Sequence, residues 1–398
     1  MNPHIRVLSL YEGFFAGGAR ILHTDVIAGL HSQTNQVHSV LSIASAARRE
    51  SSVQHLHTDP RYLHLTRSGI EVTTLGRVAG ADAPAPATFT ERQLRIAADA
   101  VRQADVILSL KEQPIGLLLA LRERGWMPDI PVAACLHRSD PRHSGSALSW
   151  LSEASANGLL TAEISCARST SGAYAPFLAP STERYVIGNG IDTDRFRPAT
   201  EDEQASTRQR FGIPAAAPVV VLAARFDEMK DPGLFLRSAA LLSQQRPETH
   251  FLVCGAGMTL ANDAFRALLT ESGVSDGTNL HALGLRDDMP AIYQIADIVA
   301  LTSAFGEASP LCLLEGAASG ATPVTTDVGD SALTVHGIGF VTARDPAHIA
   351  ATWETVLNRR SELRSHSLAA RARFGRQRMI DDYATVLSGL LGSNRAAA

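Results

Sequence analysis

The stretch Ile298-Val299-Ala300-Leu301, running on through Thr302-Ser303-Ala304 into Phe305-Gly306-Glu307-Ala308-Ser309-Pro310-Leu311-Cys312-Leu313-Leu314-Glu315-Gly316, decides how the rest of the chain is read. Four apolar residues make a short buried strand. Ser309 suits the N-cap of a following helix and Pro310 its first helical position. Gly320 is placed to end that helix. A strand passing through a short loop into a helix is half of a βαβ unit, the building block of a parallel sheet. The first helical turn offers free N–H groups, those of Leu311 and Cys312 among them, at the positive end of the helix dipole. Such a terminus accepts an anion, and a diphosphate fits it. Glu315 lies in an otherwise apolar helix, where a buried carboxylate is costly unless hydrogen-bonded. A ribose diol would supply two donors; a solvent-facing position is the competing reading. Glu307, on the loop before the helix, is either an acceptor for a sugar hydroxyl or a solvated loop acid.

Outward from this segment the same alternation repeats. Ile5–Leu10, Gln36–Ile43, Ile70–Leu75, Asp105–Leu110, Pro131–Leu136, Gly158–Ser165 and Arg184–Ile187 read as strands in the first half. Ala19–Leu30, Phe89–Gln103, Ile115–Arg124 and Ser144–Ala156 read as the helices between them. The second half restarts the pattern, with strands at Pro218–Ala224, His250–Cys254, Asn279–Leu283, Ile298–Leu301 and Thr322–Thr325. Its helices fall at Pro232–Gln244, Leu260–Glu271, Met289–Ala296 and Pro310–Ser319. The polar, proline-bearing stretch Asp192–Pro218 reads as a linker. The expected architecture is α/β, with two doubly wound Rossmann-like domains facing each other across a cleft. Ligands in such sheets gather at the carboxyl ends of the strands. The expected domains are residues 1–188 and 189–372. Residues 373–398 are expected to form a helix packing back on the first domain, with a disordered end.

Composition agrees. A chain of 398 residues exceeds one ordinary core. It is 45% hydrophobic and 19% charged, well inside the globular range. A net charge of −4 with a pI near 6.4 argues against a nucleic-acid partner. Cys135, Cys166, Cys254 and Cys312 sit in apolar runs without paired spacing, as buried thiols do. The N-terminus lacks the features of a signal peptide, and no apolar run reaches the ~20 residues of a membrane span. The expectation is a cytoplasmic protein with no transmembrane segment. Only Lys111 and Lys230 are lysines among 36 basic residues, so 36 − 2 = 34 are arginines. A position still written as lysine in so arginine-rich a chain suggests a need for a compact, mobile ammonium.

Arg225 and Lys230 bracket a loop at the carboxyl end of a strand. Two cations and a helix terminus stabilise a departing diphosphate without a metal. No Asp-x-Asp stands at a strand end; Asp192-Thr193-Asp194 has that spacing but lies in the segment between the domains. Gly17 and Gly18, after the first strand, let the backbone approach a phosphate or sugar closely. They are no dinucleotide fingerprint, since Gly-x-Gly-x-x-Gly is missing. His137 follows the strand Pro131–Leu136. Lys111 follows Asp105–Leu110 and is a candidate for the acceptor side.

Two glutamates eight positions apart, flanking a Ser-Pro helix start, resemble the signature of the family 4 retaining glycosyltransferases, which have the GT-B fold. The resemblance extends to Val186–Phe196, similar to the family's Asn-Gly-Ile-Asp segment with Asn189, and to Ala223–Asp231, which carries Arg225 and Lys230. His281-Ala282-Leu283-Gly284-Leu285, followed by Ala296-Asp297, resembles the stretch that holds the nucleotide base. One departure is Ala308-Ser309-Pro310, where the family often has Gly-Phe-Gly. The resemblance implies that Glu307 contacts the donor sugar and Glu315 the ribose. It gives Arg225 and Lys230 to the leaving phosphates, and the glycine pair and His137 to the donor. Glu307, Arg225, Lys230 and His137 are the catalytic set it implies. Gly17, Gly18, Asn189, Leu285, Ser309, Pro310, Leu311, Cys312 and Glu315 are the donor-binding set. The implied reaction is same-face transfer from a nucleotide diphosphate sugar, expected to be a UDP-sugar, to a small-molecule or glycan acceptor hydroxyl. Neither a metal nor a cofactor beyond the donor is expected. A nucleotide-sugar epimerase would bind the same donor without an acceptor. A non-catalytic sugar-binding protein is the rival from another class.

Overall fold

The structure is a computed structural model that describes residues 4–14, 18–49, 52–80, 82–274 and 279–397. The chain divides into two compact units, Met1–Asn189 with Arg376–Ala398, and Gly190–Gly375. These borders fall one and three residues beyond the expected 188/189 and 372/373. The shift at the second border has a local cause: Ile191 bridges to Gly375 in parallel, and its N–H donates to the Phe374 carbonyl at 2.8 Å. That pairing holds the chain to the second unit as far as Gly375.

In the first unit, β1 (Ile5–Tyr11), β2 (Gln36–Arg49), β3 (Ser52–His55), β4 (Glu71–Ala79), β5 (Val106–Leu110), β6 (Val132–Leu136), β7 (Ala162–Ser165) and β8 (Glu183–Val186) form one sheet. Its order is β3-β2-β1-β5-β6-β7-β8, with β4 also paired to β2. All pairings are parallel except that of β2 with β3. β5 and β6 are buried at every residue, as parallel strands covered on both faces must be. From β1 the chain winds one way to β2; from β5 it winds the other way to β6. The carboxyl ends of β1 and β5 therefore flank the switch point of this sheet.

The second unit repeats the plan with β9 (Val219–Ala223), β10 (His250–Cys254), β11 (Leu280–Gly284), β12 (Ile298–Leu301), β13 (Thr322–Thr326) and β14 (Phe340–Thr342). The order β11-β10-β9-β12-β13-β14 is parallel throughout. Here the switch point lies between the carboxyl ends of β9 and β12. One apolar cluster covers each face of this sheet, through residues such as Leu252 and Leu313 on one side and Phe251 and Trp353 on the other.

Three sequence expectations need correction. The stretch Asp192–Pro218 is no bare linker: Thr200 caps a helix, Glu201–Arg210, through a capping box with Glu203. Arg208 then donates to the carbonyls of Pro214, Ala217 and Ile295, which fixes the segment to the second unit. A polar helix tied down by its caps and one arginine shows no apolar stripe. The tail is likewise ordered: the helix Arg376–Ala397 runs through the Gly392-Ser393-Asn394 stretch read as disordered. Arginine and alanine propagate a helix already nucleated and anchored. Met379, Ile380, Tyr383, Leu387 and Leu390 form its buried stripe, against the helix Gly18–Gln33 of the first unit. A Cβ on Gly29 would stand 2.3 Å from Ile380 Cδ1, so only glycine permits that approach. The third correction is β3 and β14, short edge strands that carry no clear apolar alternation. Among the described residues no helix is long and apolar enough to cross a membrane.

Candidate functional site

The switch point of the second unit gathers most of the predicted residues. β9 ends at Ala223, and the chain turns through Arg225 to Asp227. The Asp227 carboxylate pairs with the Arg225 guanidinium and accepts the Lys230 N–H at 3.0 Å, closing one turn over Glu228–Lys230. Asp231, at φ 43°, caps the next helix by accepting the Leu234 N–H. The loop after β12 is stitched to this turn. The Thr302 hydroxyl donates to the carbonyls of Lys230 and Asp231, and the Ala304 N–H to that of Met229.

This stitching brings the Lys230 ammonium onto the Glu307 carboxylate, an ion pair spanning 77 positions of sequence. The Lys230 side chain is 15% exposed and that of Glu307 6%. The Ser303 hydroxyl donates to the same Glu307 oxygen. Gly329 supports the loop from behind, at φ 59°, where a Cβ would fall 2.0 Å from the Glu307 carbonyl oxygen. Ser303, Gly329 and Tyr293 belong to the site's structure and were missed by sequence reasoning. Only the positive φ of the glycine could have been guessed, from its place in Val328-Gly329-Asp330.

The helix after Glu307 starts one residue later than expected, at Leu311, and runs to Ser319. Pro310 occupies the cap position with ψ 113°, outside the helix, and its own side chain makes no cap bond. Ser309 is therefore not the N-cap. The extended ψ of Pro310 moves the helix start past the proline, so the N–H groups of Leu311 and Cys312 lead the first turn. Gly320, at φ 101°, terminates the helix as predicted. The half-buried Cys312 thiol is pushed up to about 12 by burial, with Lys230, Glu307 and Glu315 all within electrostatic reach. It stays protonated at neutral pH. Glu315 is half-buried, and burial raises its carboxyl to about 7; the Tyr293 hydroxyl bonds to it and Arg195 lies near. One donor is thus in place on that carboxylate, with lone pairs to spare.

The other predicted residues lie elsewhere. Leu285 directly follows β11 and its side chain is 79% exposed. The Gly255 N–H donates to the Gly284 carbonyl at 2.7 Å, which ties the ends of β10 and β11 together. Arg225, by contrast, is in the switch-point turn, paired with Asp227, and its side chain is 59% exposed. Asn189 is the last residue of the first unit; its carbonyl accepts from Arg378 at 2.9 Å. Gly18 is the exposed first residue of the helix Gly18–Gln33, while Gly17 lies outside the described residues. His137 follows β6 in the first unit. Burial and the Lys111 charge hold its imidazole down to about 4, so it is neutral at physiological pH. Among the described residues no three His, Cys, Asp or Glu side chains are grouped as metal ligands.

Comparison with known proteins agrees with this geometry. Residues 217–359 match the family model described as "Glycosyl transferases group 1". A D-inositol 3-phosphate glycosyltransferase of Salinispora arenicola is 34% identical over 199 residues, 46% of this chain and 42% of that protein. The one from Thermobispora bispora is 30% identical over 210 residues, 50% of this chain and 48% of that protein. The chain thus spans less than half the length of the relatives it matches. Among solved structures, Anabaena Alr3699/HepE in complex with UDP and glucose superposes with a TM-score of 0.74 at 18% identity, covering 97% of this chain and 100% of that one. Sucrose-phosphate synthase from Thermosynechococcus elongatus gives 0.70 at 16% identity, covering 98% and 100%. Residues 217–359 match the group 1 glycosyl transferases, as the sequence resemblance implied, and the chain has the GT-B fold.

Proposed function

We propose that the chain transfers a sugar from a UDP-sugar to an acceptor hydroxyl, with retention of anomeric configuration and without a metal. The observation that carries this reading is the Lys230–Glu307 pair, set at a sheet's switch point beside a helix N-terminus and a carboxylate with spare lone pairs. A uridine diphosphate meets each of these groups with the matching chemistry. Its phosphates take Lys230, Arg225 and the N–H groups of Leu311 and Cys312. Its ribose diol donates to Glu315, and its base lies by Leu285. Lys230 then leaves Glu307 for the phosphates, and Glu307 is freed to accept from the donor-sugar hydroxyls. The Anabaena protein was solved with UDP and glucose, so UDP-glucose is the first donor to test.

In the reaction the bond between the anomeric carbon and the leaving phosphate oxygen breaks. The acceptor oxygen bonds to that carbon from the same face, and its proton passes to the leaving phosphate oxygen. Charge builds on the diphosphate, where preorganised cations and helix N–H groups act most strongly. His137, Asn189 and the Gly17-Gly18 pair enter this reading through the family resemblance, as donor contacts.

The test begins with protection against thermal unfolding by a panel of nucleotide sugars, followed by mass spectrometry of acceptor mixtures. Proton NMR of the product then reads the anomeric configuration. Turnover is expected to persist in chelator. Complete loss in chelator, restored by manganese or magnesium, would refute the metal-free step, and an inverted product would refute retention.

A further inference from the structure

The helix Met289–Gln294 has only six residues, and its last two side chains take different partners. Gln294 Nε2 donates to the Arg197 carbonyl at 3.1 Å, and the Gln294 carbonyl accepts from Gln204 Nε2 at 3.5 Å. Tyr293, beside it, is 1% exposed, and its ring centre lies 6.1 Å from that of Phe196 at 59°. Phe196 is itself fixed: its N–H donates to the Asp192 carbonyl at 2.9 Å, and the Arg195 guanidinium lies over its ring. The segment Asp192–Arg197 therefore holds this short helix at two adjacent residues. A buried phenol hydroxyl needs a partner, and that of Tyr293 has the Glu315 carboxylate.

Glu315 lies one turn into the helix Leu311–Ser319. The terminal torsion of a glutamate is broad, so a carboxylate with nothing bonded to it is poorly aimed. One hydrogen bond from a clamped donor fixes its plane and leaves about three lone-pair positions. Burial opposes the charge on Glu315, while the Tyr293 hydrogen bond and the Arg195 charge favour it. The neighbouring elements bring little else. Cys312, on the same helix, stays protonated. Arg371 and Arg373 are held on the carbonyls of Thr193 and His336, and Arg364 lies against Gly320 at the far end of the helix. Tyr293 thus both aims the carboxylate and favours its ionised form.

We infer that Tyr293 is the positioning residue of the nucleotide site. Its hydroxyl fixes the plane of the Glu315 carboxylate so that the remaining lone pairs receive both hydroxyls of a ribose. The pair thereby selects ribonucleoside over 2′-deoxyribonucleoside diphosphates. The inference rests on the glycosyltransferase reading, which puts the ribose at Glu315, and it adds the residue on which that contact depends. A cis-diol gives the aimed carboxylate two donors; a 2′-deoxyribose gives one. A site shaped for a hydroxyl discriminates against the analogue that lacks it, because its own polar group is left unpaired. Buried as it is, Tyr293 acts through Glu315 and not on the nucleotide itself.

The experiment is calorimetric titration of the full chain with UDP and with 2′-deoxy-UDP, at pH values on both sides of neutrality. Wild type is compared with Tyr293→Phe, Glu315→Ala and the double variant. Phenylalanine keeps the ring against Phe196, so Tyr293→Phe should unfold close to the wild-type thermal midpoint. At neutral pH it should bind UDP about tenfold more weakly, the loss of one hydrogen bond to a charged group. Its preference for UDP over 2′-deoxy-UDP should shrink. Because the lost bond favoured the ionised carboxylate, the pH below which UDP affinity declines should move upward, and the deficit should narrow in alkali. With Glu315→Ala already present, Tyr293→Phe should change UDP affinity by less than about twofold, since it acts through Glu315. Damage to packing alone would weaken both nucleotides alike at every pH and persist beside Glu315→Ala. That result, or undiminished UDP affinity in Tyr293→Phe, would overturn the positioning role and leave the glycosyltransferase reading standing. Equal affinity of wild type for UDP and 2′-deoxy-UDP would overturn the selection. A wild type that binds neither UDP nor any other nucleoside diphosphate would bring down both the inference and the reading beneath it.

Discussion

The two units are wound alike, and each places one lysine on the chain leaving a strand that borders its switch point, Lys111 immediately after β5 and Lys230 seven residues after β9, yet the two lysines are treated in opposite ways. Lys230 follows β9 through an ordinary turn and is neutralised by Glu307. Lys111 follows β5 in a strained conformation and is crowded by Arg20 and Arg138. The sheet fixes where a ligand binds; the side chains fix what charge state it must bring. In the proposed reading, a ligand at the second unit must displace an internal carboxylate, so affinity is traded against an existing ion pair. In the first unit burial and the neighbouring cations disfavour the charge on Lys111.

The largest effect expected from this contrast is at Lys230. Lys230→Ala should lower turnover by about 10²–10³, the loss of one preorganised charge partner, and Lys230→Arg should recover part of it. Arg225→Ala should act similarly, with the double variant losing less than the sum. Wild-type turnover in Lys230→Ala would erase the contrast. The pair also makes a stability cycle. Removing one partner of a buried ion pair costs about 3–5 kcal/mol, while replacing both costs far less. Urea unfolding of Lys230→Met, Glu307→Gln and the double variant should show the double as more stable than either single.

Next in size is a pH effect at Glu315, whose carboxyl is raised to about 7. A raised carboxyl pKa favours the protonated fold. Its contribution to the stability of the free chain is complete below the ordinary carboxyl range and lost as pH rises through about 7. Nucleotide binding runs the other way, because the ribose donates to the ionised form. UDP affinity should therefore fall below pH 7, by up to about tenfold per unit, with proton release on binding near neutrality. Glu315→Gln should flatten both curves. A UDP affinity independent of pH between 5 and 8 would remove Glu315 from the nucleotide. The smallest effect is at Lys111, where glycine should stabilise the free chain by about 1 kcal/mol in urea unfolding, opposite in sign to Lys230→Ala.

Much of this was legible in the sequence because parallel sheets write themselves as apolar runs. Val106–Leu110, Val132–Leu136 and Ile298–Leu301 are continuous buried strands, and candidate site residues follow their carboxyl ends, where the topology gathers ligands. What sequence could not show is what pairs with what. Lys230 and Glu307 each read as separate ligand contacts, and the ion pair between them depends on a loop register set by Thr302 and Ala304. The false N-cap at Ser309 has a similar origin. Residue type favours Ser-Pro at a helix start, but the ψ of Pro310 is set by the loop, which Gly329 supports. The helix Glu201–Arg210 was hidden because capping and one buried arginine, not an apolar face, hold it in place.

The return of the helix Arg376–Ala397 to the first unit has a consequence for synthesis. Measured from Gly190 to Gly375, 375 − 190 + 1 = 186 residues intervene before the segment that completes the first unit emerges. At about 5–20 residues per second this leaves a wait of roughly 10–40 s. During that time the groove at Gly29 lacks Ile380, and Cys135 lacks the Tyr383 hydroxyl it meets in the finished fold. The second unit, contiguous in sequence, can close first. On a translating ribosome the first unit is thus the later of the two to be completed, because its last helix is made after the whole of the second.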